Sequence, residues 1–194
     1  MDALYGEPVA RSLTKEIDYI SASYRKFIEA APFVILATSG PEGLDCSPRG
    51  DPPGFLRVRD PNTVLIPDRR GNNRIDTLRN LVADPRISLL FLIPGVGETL
   101  RINGRAEIVT DPELRESFAL NGKAPVSVLV VTAERVYFQC PKALVRSRLW
   151  HPDTQVPRSE VPSSGEIMAE IIGGDYDAEA HDRAYPQRLK ETLY

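Results

Sequence analysis

Three arginines and two asparagines crowd into eleven residues, Asp68-Arg69-Arg70-Gly71-Asn72-Asn73-Arg74-Ile75-Asp76-Thr77-Leu78. The stretch closes an apolar, strand-like run (Thr63–Pro67) and opens a helix-like one (Ile75–Val82). The start of a helix offers unpaired backbone N–H groups and a partial positive charge. Arginine adds charged, forked donors that match phosphate oxygens. That combination suits an anion, and a phosphate above all. A further arginine, in Ser47-Pro48-Arg49-Gly50-Asp51, lies where another strand must break, and Gly50 allows close backbone approach to a ligand.

The surrounding charge supports a small anionic ligand. Over the whole chain of 194 residues, 24 Lys and Arg face 27 Asp and Glu, a net charge of −3. No global basic field points to nucleic acid. Residues 49–79, however, hold seven Arg against four Asp, whereas residues 151–194 hold nine acids against four bases. A local positive patch in a mildly acidic protein fits a small ligand better than a polyanion.

Other chemistries find little support. Cys46 and Cys140 form no CxxC pair and stand near no histidine, so neither a zinc framework nor a disulfide scaffold is expected. Both are expected to be buried, inert thiols. Asp177 and His181 stand one helical turn apart, which alone does not make a metal site. There is no Gly-x-Ser-x-Gly elbow, HExxH pair or Walker loop. No run reaches transmembrane length and the first residues lack a signal-like apolar core, so a cytoplasmic protein without a membrane partner is expected.

The elements that must position the arginines can be read from periodicity. Residues 14–31 repeat apolar positions at helical spacing, with Thr14 as the expected cap. Phe33–Thr38 and Leu44–Gly50 read as a hairpin across Ser39–Gly43, followed by a Pro/Gly-rich loop over 51–61. Thr63–Pro67 is the third strand, and residues 73–83 form a helix ended by Asp84-Pro85. Arg86–Ile93, Glu98–Val109 and Val126–Cys140 are further strands, with a bulge or bend at Gly104. Asp111-Pro112 starts a short helix and Ala143–Trp150 another. Arg101 and Arg105 share one strand face, the first suited to a ligand and the second to solvent. The pattern is mainly β with peripheral helices, a six- to seven-stranded antiparallel barrel over residues 1–150. Residues 151–194 read as a Pro/Ser-rich linker and a C-terminal helical tail, with helices from Glu166 and from Asp177.

The order of these pieces resembles the pyridoxamine 5′-phosphate oxidase-like flavoproteins, which have the FMN-binding split β-barrel. Four segments carry the resemblance: residues 33–51, 63–95, 98–109 and 136–150. It is greatest to a bacterial branch of about 200 residues that carries the Arg-Gly-Asn-Asn-Arg turn. The resemblance implies a homodimer with FMN held at the subunit interface. It implies that Ser47, Pro48, Arg49 and Gly50 line the flavin, and that Pro67 and Asp68 present backbone to its ring. Asn73, Arg74 and Thr77 would surround the phosphate, while the second protomer would contribute Thr99, Arg101 and Lys142. Arg69 and Arg70 are then left as ordinary surface charge, one of them pairing with Asp68. Where pyridoxamine phosphate oxidases proper have an Arg-Lys pair, this chain has Asp76-Thr77, which sets it apart from vitamin B6 oxidation. The implied activity is an FMN-dependent oxidoreductase acting on a small-molecule substrate, with NAD(P)H as a candidate donor and no assigned acid or base. Alternatives are a non-catalytic flavin or haem carrier or regulator, and a split-barrel reductase using the deazaflavin F420.

Overall fold

The chain forms seven strands, most of them on apolar runs: β1 (Phe33–Gly40), β2 (Gly43–Gly50), β3 (Arg57–Asp60), β4 (Thr63–Asp68), β5 (Arg86–Leu92), β6 (Thr99–Val109) and β7 (Ser127–Gln139). The structure is a computed structural model and describes Leu4 and residues 6–194. Residues 1–3 and 5 of the expected 1–150 domain lie outside the described residues. All seven strands join one sheet in the order β2-β1-β5-β6-β7-β4-β3, with every pairing antiparallel. Around it lie short helices: α1 (Ala10–Thr14), α2 (Ala22–Ala30), α3 (Asp76–Ala83), α4 (Pro112–Glu116), α5 (Lys142–Ser147), α6 (Ser164–Ile172) and α7 (Ala178–Thr192). The fold is mainly β with peripheral helices.

The strand period of two sorts side chains between an interior and an exterior. On β6, Leu100, Ile102 and Ala106 are buried, while Arg105 and Glu107 are exposed. Ile87, Leu89 and Phe91 of β5 and Val34 and Leu36 of β1 join the same apolar cluster. β4 differs because both its faces are covered. Val64 and Ile66 face the main cluster, and Leu65 packs with Phe118 and Val128 in a smaller one. Such a strand is a rigid base for whatever follows it.

The sheet is not closed by backbone pairing. β2 and β3 are its two edges, yet side chains from the β2 end of the sheet meet those beyond β4. Arg49 Nη2 stands 3.7 Å from Asp68 Oδ1, and Arg69 Nε donates to Asp51 Oδ2 at 2.9 Å. The sheet has therefore curled until edge strand β2 approaches the end of β4, one strand in from the other edge, and two ion pairs cross the seam between them. This is the split of a split barrel.

Several boundaries differ from those expected. The helix anticipated over 14–31 divides, because Ile17 exchanges two backbone hydrogen bonds with Val136 (3.0 and 2.7 Å) and Ile20 N–H donates to Pro61 O (2.6 Å). Thr14 ends α1 instead of capping a helix, and Ser21 caps α2 by accepting from Tyr24 N–H. The loop expected over 51–61 contains β3, a four-residue edge strand too short for periodicity to reveal. The site helix starts at Asp76, not at 73, because Asn73 adopts a left-handed backbone (φ 61°). α6 starts at Ser164 with a capping box from Ser163 and Glu166. Cys46 and Cys140 are both exposed, contrary to the buried thiols expected from neighbouring apolar residues. Cys46 takes an outward position in the pleat of edge strand β2, and Cys140 lies just past the end of β7.

Two outcomes follow for stability. The register shifts at Gly104, where a Cβ would collide with the Thr132 carbonyl oxygen. Gly104→Ala is expected to destabilise by about 2–4 kcal/mol in denaturant unfolding, since strand backbones must separate. The Asp51 carboxylate at the seam is only 2% exposed and its Arg69 partner 19%. Arg69→Ala would strand that charge and cost about 3–5 kcal/mol, whereas the double change Arg69→Met with Asp51→Leu should recover most of the loss.

Candidate functional site at the seam

A cavity of about 310 Å³ opens at this seam, lined by Pro48, Arg49 and Gly50 of β2, the turn from Asp68 to Ile75, Leu78 of α3, and Leu193 and Tyr194. Four arginines (49, 69, 70 and 74) face one aspartate, Asp68. Neither neighbouring strand alone would make this place. β4 delivers the turn from a fully buried strand, and the curl of the sheet brings β2 to meet it.

The turn has a definite internal order. Asn72 Oδ1 accepts from Arg74 N–H at 3.0 Å, and Asn73 takes the left-handed conformation that asparagine tolerates. The N-cap of α3 is Ile75, which supplies no side-chain acceptor. The first N–H groups of α3 are thus without a cap, as at anion-binding helix starts. α3 itself is anchored through buried Thr77, Asn80 and Leu81, and Asn80 Nδ2 donates to Thr38 Oγ1 at 3.3 Å.

The four arginines have unequal freedom. Arg69 is committed to Asp51 and, through Nη1, to Phe118 O at 2.7 Å. Arg49 faces Asp68, and so the acid expected to pair with Arg69 or Arg70 takes a partner from the opposite edge. Arg74 is 79% exposed and its Nε donates to Asp76 at 2.5 Å, with that contact raising the arginine's pKa. Arg70 is exposed and has no ion-pair partner among the described residues. Arg69 and Arg70, both expected to be surface charge, prove to be a seam bridge and a free cation on the cavity wall. Burial pushes the Asp68 carboxyl above its ordinary range, and Arg49 offsets part of that shift.

Six of the expected site residues therefore share one cavity: Pro48, Arg49, Gly50, Asp68, Asn73 and Arg74. Ser47 and Thr77 do not line it. Both hydroxyls donate to the Asp45 carboxylate, Ser47 at 3.0 and 3.1 Å and buried Thr77 by a short bond. Asp45 thus occupies the Thr77 hydroxyl expected at the phosphate and the Ser47 hydroxyl expected beside the flavin. Alternation along β2 puts Asp45, Ser47 and Arg49 on one face, a signal that was available in the sequence. Pro67 is buried within β4, opposite Val128. Thr99, Arg101 and Lys142 lie elsewhere on the chain. Thr99 Oγ1 donates to Gln139 Oε1 at 3.3 Å, Arg101 Nη1 donates to Tyr137 OH at 3.1 Å, and Lys142 begins α5 outside the cavity. Trp150 Nε1 donates to Val96 O at 2.8 Å, a packing contact. Asp177 caps α7 through Ala180 N–H, and no group of three potential metal ligands occurs among the described residues. Among the same residues, no helix is long and apolar enough to cross a membrane.

Comparison with known proteins bears on the fold and the family. Structural superposition finds a single-substitution variant of HupZ from Group A Streptococcus at 19% identity and a TM-score of 0.50, covering 62% of this chain and 99% of that one. HupZ without that substitution superposes at 20% identity and a TM-score of 0.50, covering 60% and 91%. An FAD-binding protein of Mesorhizobium loti superposes at 18% identity and a TM-score of 0.46, covering 62% and 93%. The two HupZ likenesses speak to the fold alone. No curated protein matches by sequence. Residues 20–140 match the family described as pyridoxamine 5′-phosphate oxidase, an extent that takes in every strand, the arginine turn and α3. This chain, with its split sheet and the arginine turn at the seam, belongs to the pyridoxamine 5′-phosphate oxidase family.

Proposed function

We propose that the chain is an FMN-dependent oxidoreductase that works as a homodimer and passes electrons or hydride between FMN and a small-molecule substrate, with NAD(P)H as donor. The observation that carries this reading is the seam cavity, where four arginines and an uncapped helix start face a single aspartate. Membership of the family adds to it.

The residues present fit the phosphate end of such a cofactor. Arg70 and Arg74 are the arginines least engaged by the fold, and the Gly71–Asn73 turn is exposed beside them. A cavity of about 310 Å³ is at the lower limit of ligand pockets, which run from about 300 to 1,000 Å³. One protomer thus offers a cradle for part of a flavin nucleotide, and a second copy would supply the remaining wall. Thr99, Arg101 and Lys142, which stand apart from the cavity in their own protomer, are the residues proposed for that role.

When bound, the isoalloxazine would supply the hydride and electron chemistry. The tasks left to the chain are binding and orientation. Arg70 and Arg74 would neutralise the phosphate, Asn73 would hold the turn open, and Arg49 would keep one face toward Asp68 and the other toward the ligand. Asp68 opposes the anion and limits its affinity.

Three outcomes test the reading. Purified protein should be yellow or take up added FMN, and NAD(P)H should bleach the flavin band. Arg70→Ala and Arg74→Ala should each weaken FMN binding by about tenfold or more without altering the melting temperature, as measured by fluorescence titration. Full flavin occupancy in both variants, and in Arg49→Ala, would remove the cavity as the phosphate site. Asp68→Asn should strengthen FMN binding at neutral pH by about fivefold. Because burial raises the Asp68 pKa in the folded state, the associated stability is present at low pH and lost as pH rises through that raised value. Asp68→Asn should therefore flatten the stability profile across the carboxylate range.

A further inference from the structure

The cavity has one wall that comes from far along the chain. α7 ends at Thr192, and Leu193 and Tyr194 then lie against the arginine turn. Tyr194 is held at two points. Its hydroxyl donates to Asp51 Oδ1 at 2.8 Å, and its backbone oxygen accepts from Lys123 Nζ at 2.7 Å. The other Asp51 oxygen takes Arg69, so one buried carboxylate ties both the seam and Tyr194. The hydrogen bond to Asp51 raises the pKa of the phenol above its ordinary value, because the bond stabilises the protonated form beside a carboxylate.

The rest of this region is weakly attached. α7 packs chiefly on α6, and it buries no residue of its own. Two polar contacts hold its far end, and neither Leu193 nor Tyr194 belongs to the apolar core. The cavity lining also mixes two chemistries: arginines, and the apolar or aromatic side chains of Ile75, Leu78, Leu193 and Tyr194. A ligand that carries both a phosphate and a flat apolar group matches that mixed lining, because the arginines can neutralise the one and an aromatic side chain can cover the other.

We propose that Leu193 and Tyr194 form a cap over the seam cavity, latched through Asp51 and Lys123, that closes on the bound ligand and sets its rate of release. The proposal rests on the reading of the cavity as a phosphate-ligand site, and its test separates the two. Amide hydrogen exchange over residues 186–194 of the full chain reads the latch directly. Tyr194→Phe keeps the ring and removes one bond, and Lys123→Ala removes the other from an exposed side chain. Each should speed exchange in this segment, and no change in either variant overturns the latch. FMN is the first probe of closure. It should slow exchange over 186–194, and Tyr194→Ala should release it about tenfold faster than the unaltered chain. An unchanged release rate overturns the cap. Inorganic phosphate is the second probe. If phosphate slows exchange while FMN does not bind, the flavin reading falls and the cap stands; if neither probe slows exchange, the cap falls.

Discussion

Two arginine–aspartate pairs hold together edges of a sheet that the backbone leaves apart, and the candidate site exists because they do. A seven-stranded sheet that curls must either join its edges by strand pairing or leave a gap. Here Arg49–Asp68 and Arg69–Asp51 span the gap. Side chains reach further than ladder hydrogen bonds, so closure by ion pairs leaves room for a cavity between the edges. Asp51 is the more deeply buried acid of the two pairs, and its two oxygens serve two different partners. Such a charge is tolerable only while its partners remain.

The same distribution of charge explains the chemistry available in the cavity. The cavity wall carries more arginine than acid, and the fold uses two of those arginines for its own closure. Arg70 and, in part, Arg74 are left over. A positive excess confined to a partly enclosed place is where an anion gains most, because neighbouring low-dielectric groups strengthen the attraction. Asp45 shows the opposite arrangement a short distance away. Its carboxylate saturates the Ser47 and Thr77 hydroxyls, so that corner of the site already holds an anion of the protein's own.

Much of the architecture was legible from periodicity and punctuation. β1 and β4 to β7 follow apolar runs, β2 follows as the return of a hairpin after the Ser39–Gly43 turn, Asp111-Pro112 marks the start of α4, and Asp177 marks α7. Gly104 was recognisable as a break in a strand, although the extra residue of the bulge lies on β7. Short or competing signals were misleading. β3 has only four residues, and the segment between α1 and α2 carries helical spacing but is drawn out by backbone pairing of Ile17 with Val136. Exposure of Cys46 followed from its place in the pleat of an edge strand, which nearby apolar residues concealed.

For the site, the residues themselves determined that arginines, asparagines and a helix start converge between Asp68 and Leu78, because all of them are local in sequence. Arg49 and Gly50 also stood out at a strand break, and family resemblance joined them to that turn in one site. Only the tertiary structure decided which cation is free, since pairing depends on which acids the curled sheet brings near. Arg69 was matched with Asp51 across 18 residues, Tyr194 with the same acid across 143, and Thr77 with Asp45 across 32. Electrostatic partnership is a property of distance in space, and the curl of the sheet, which no local pattern encodes, sets that distance.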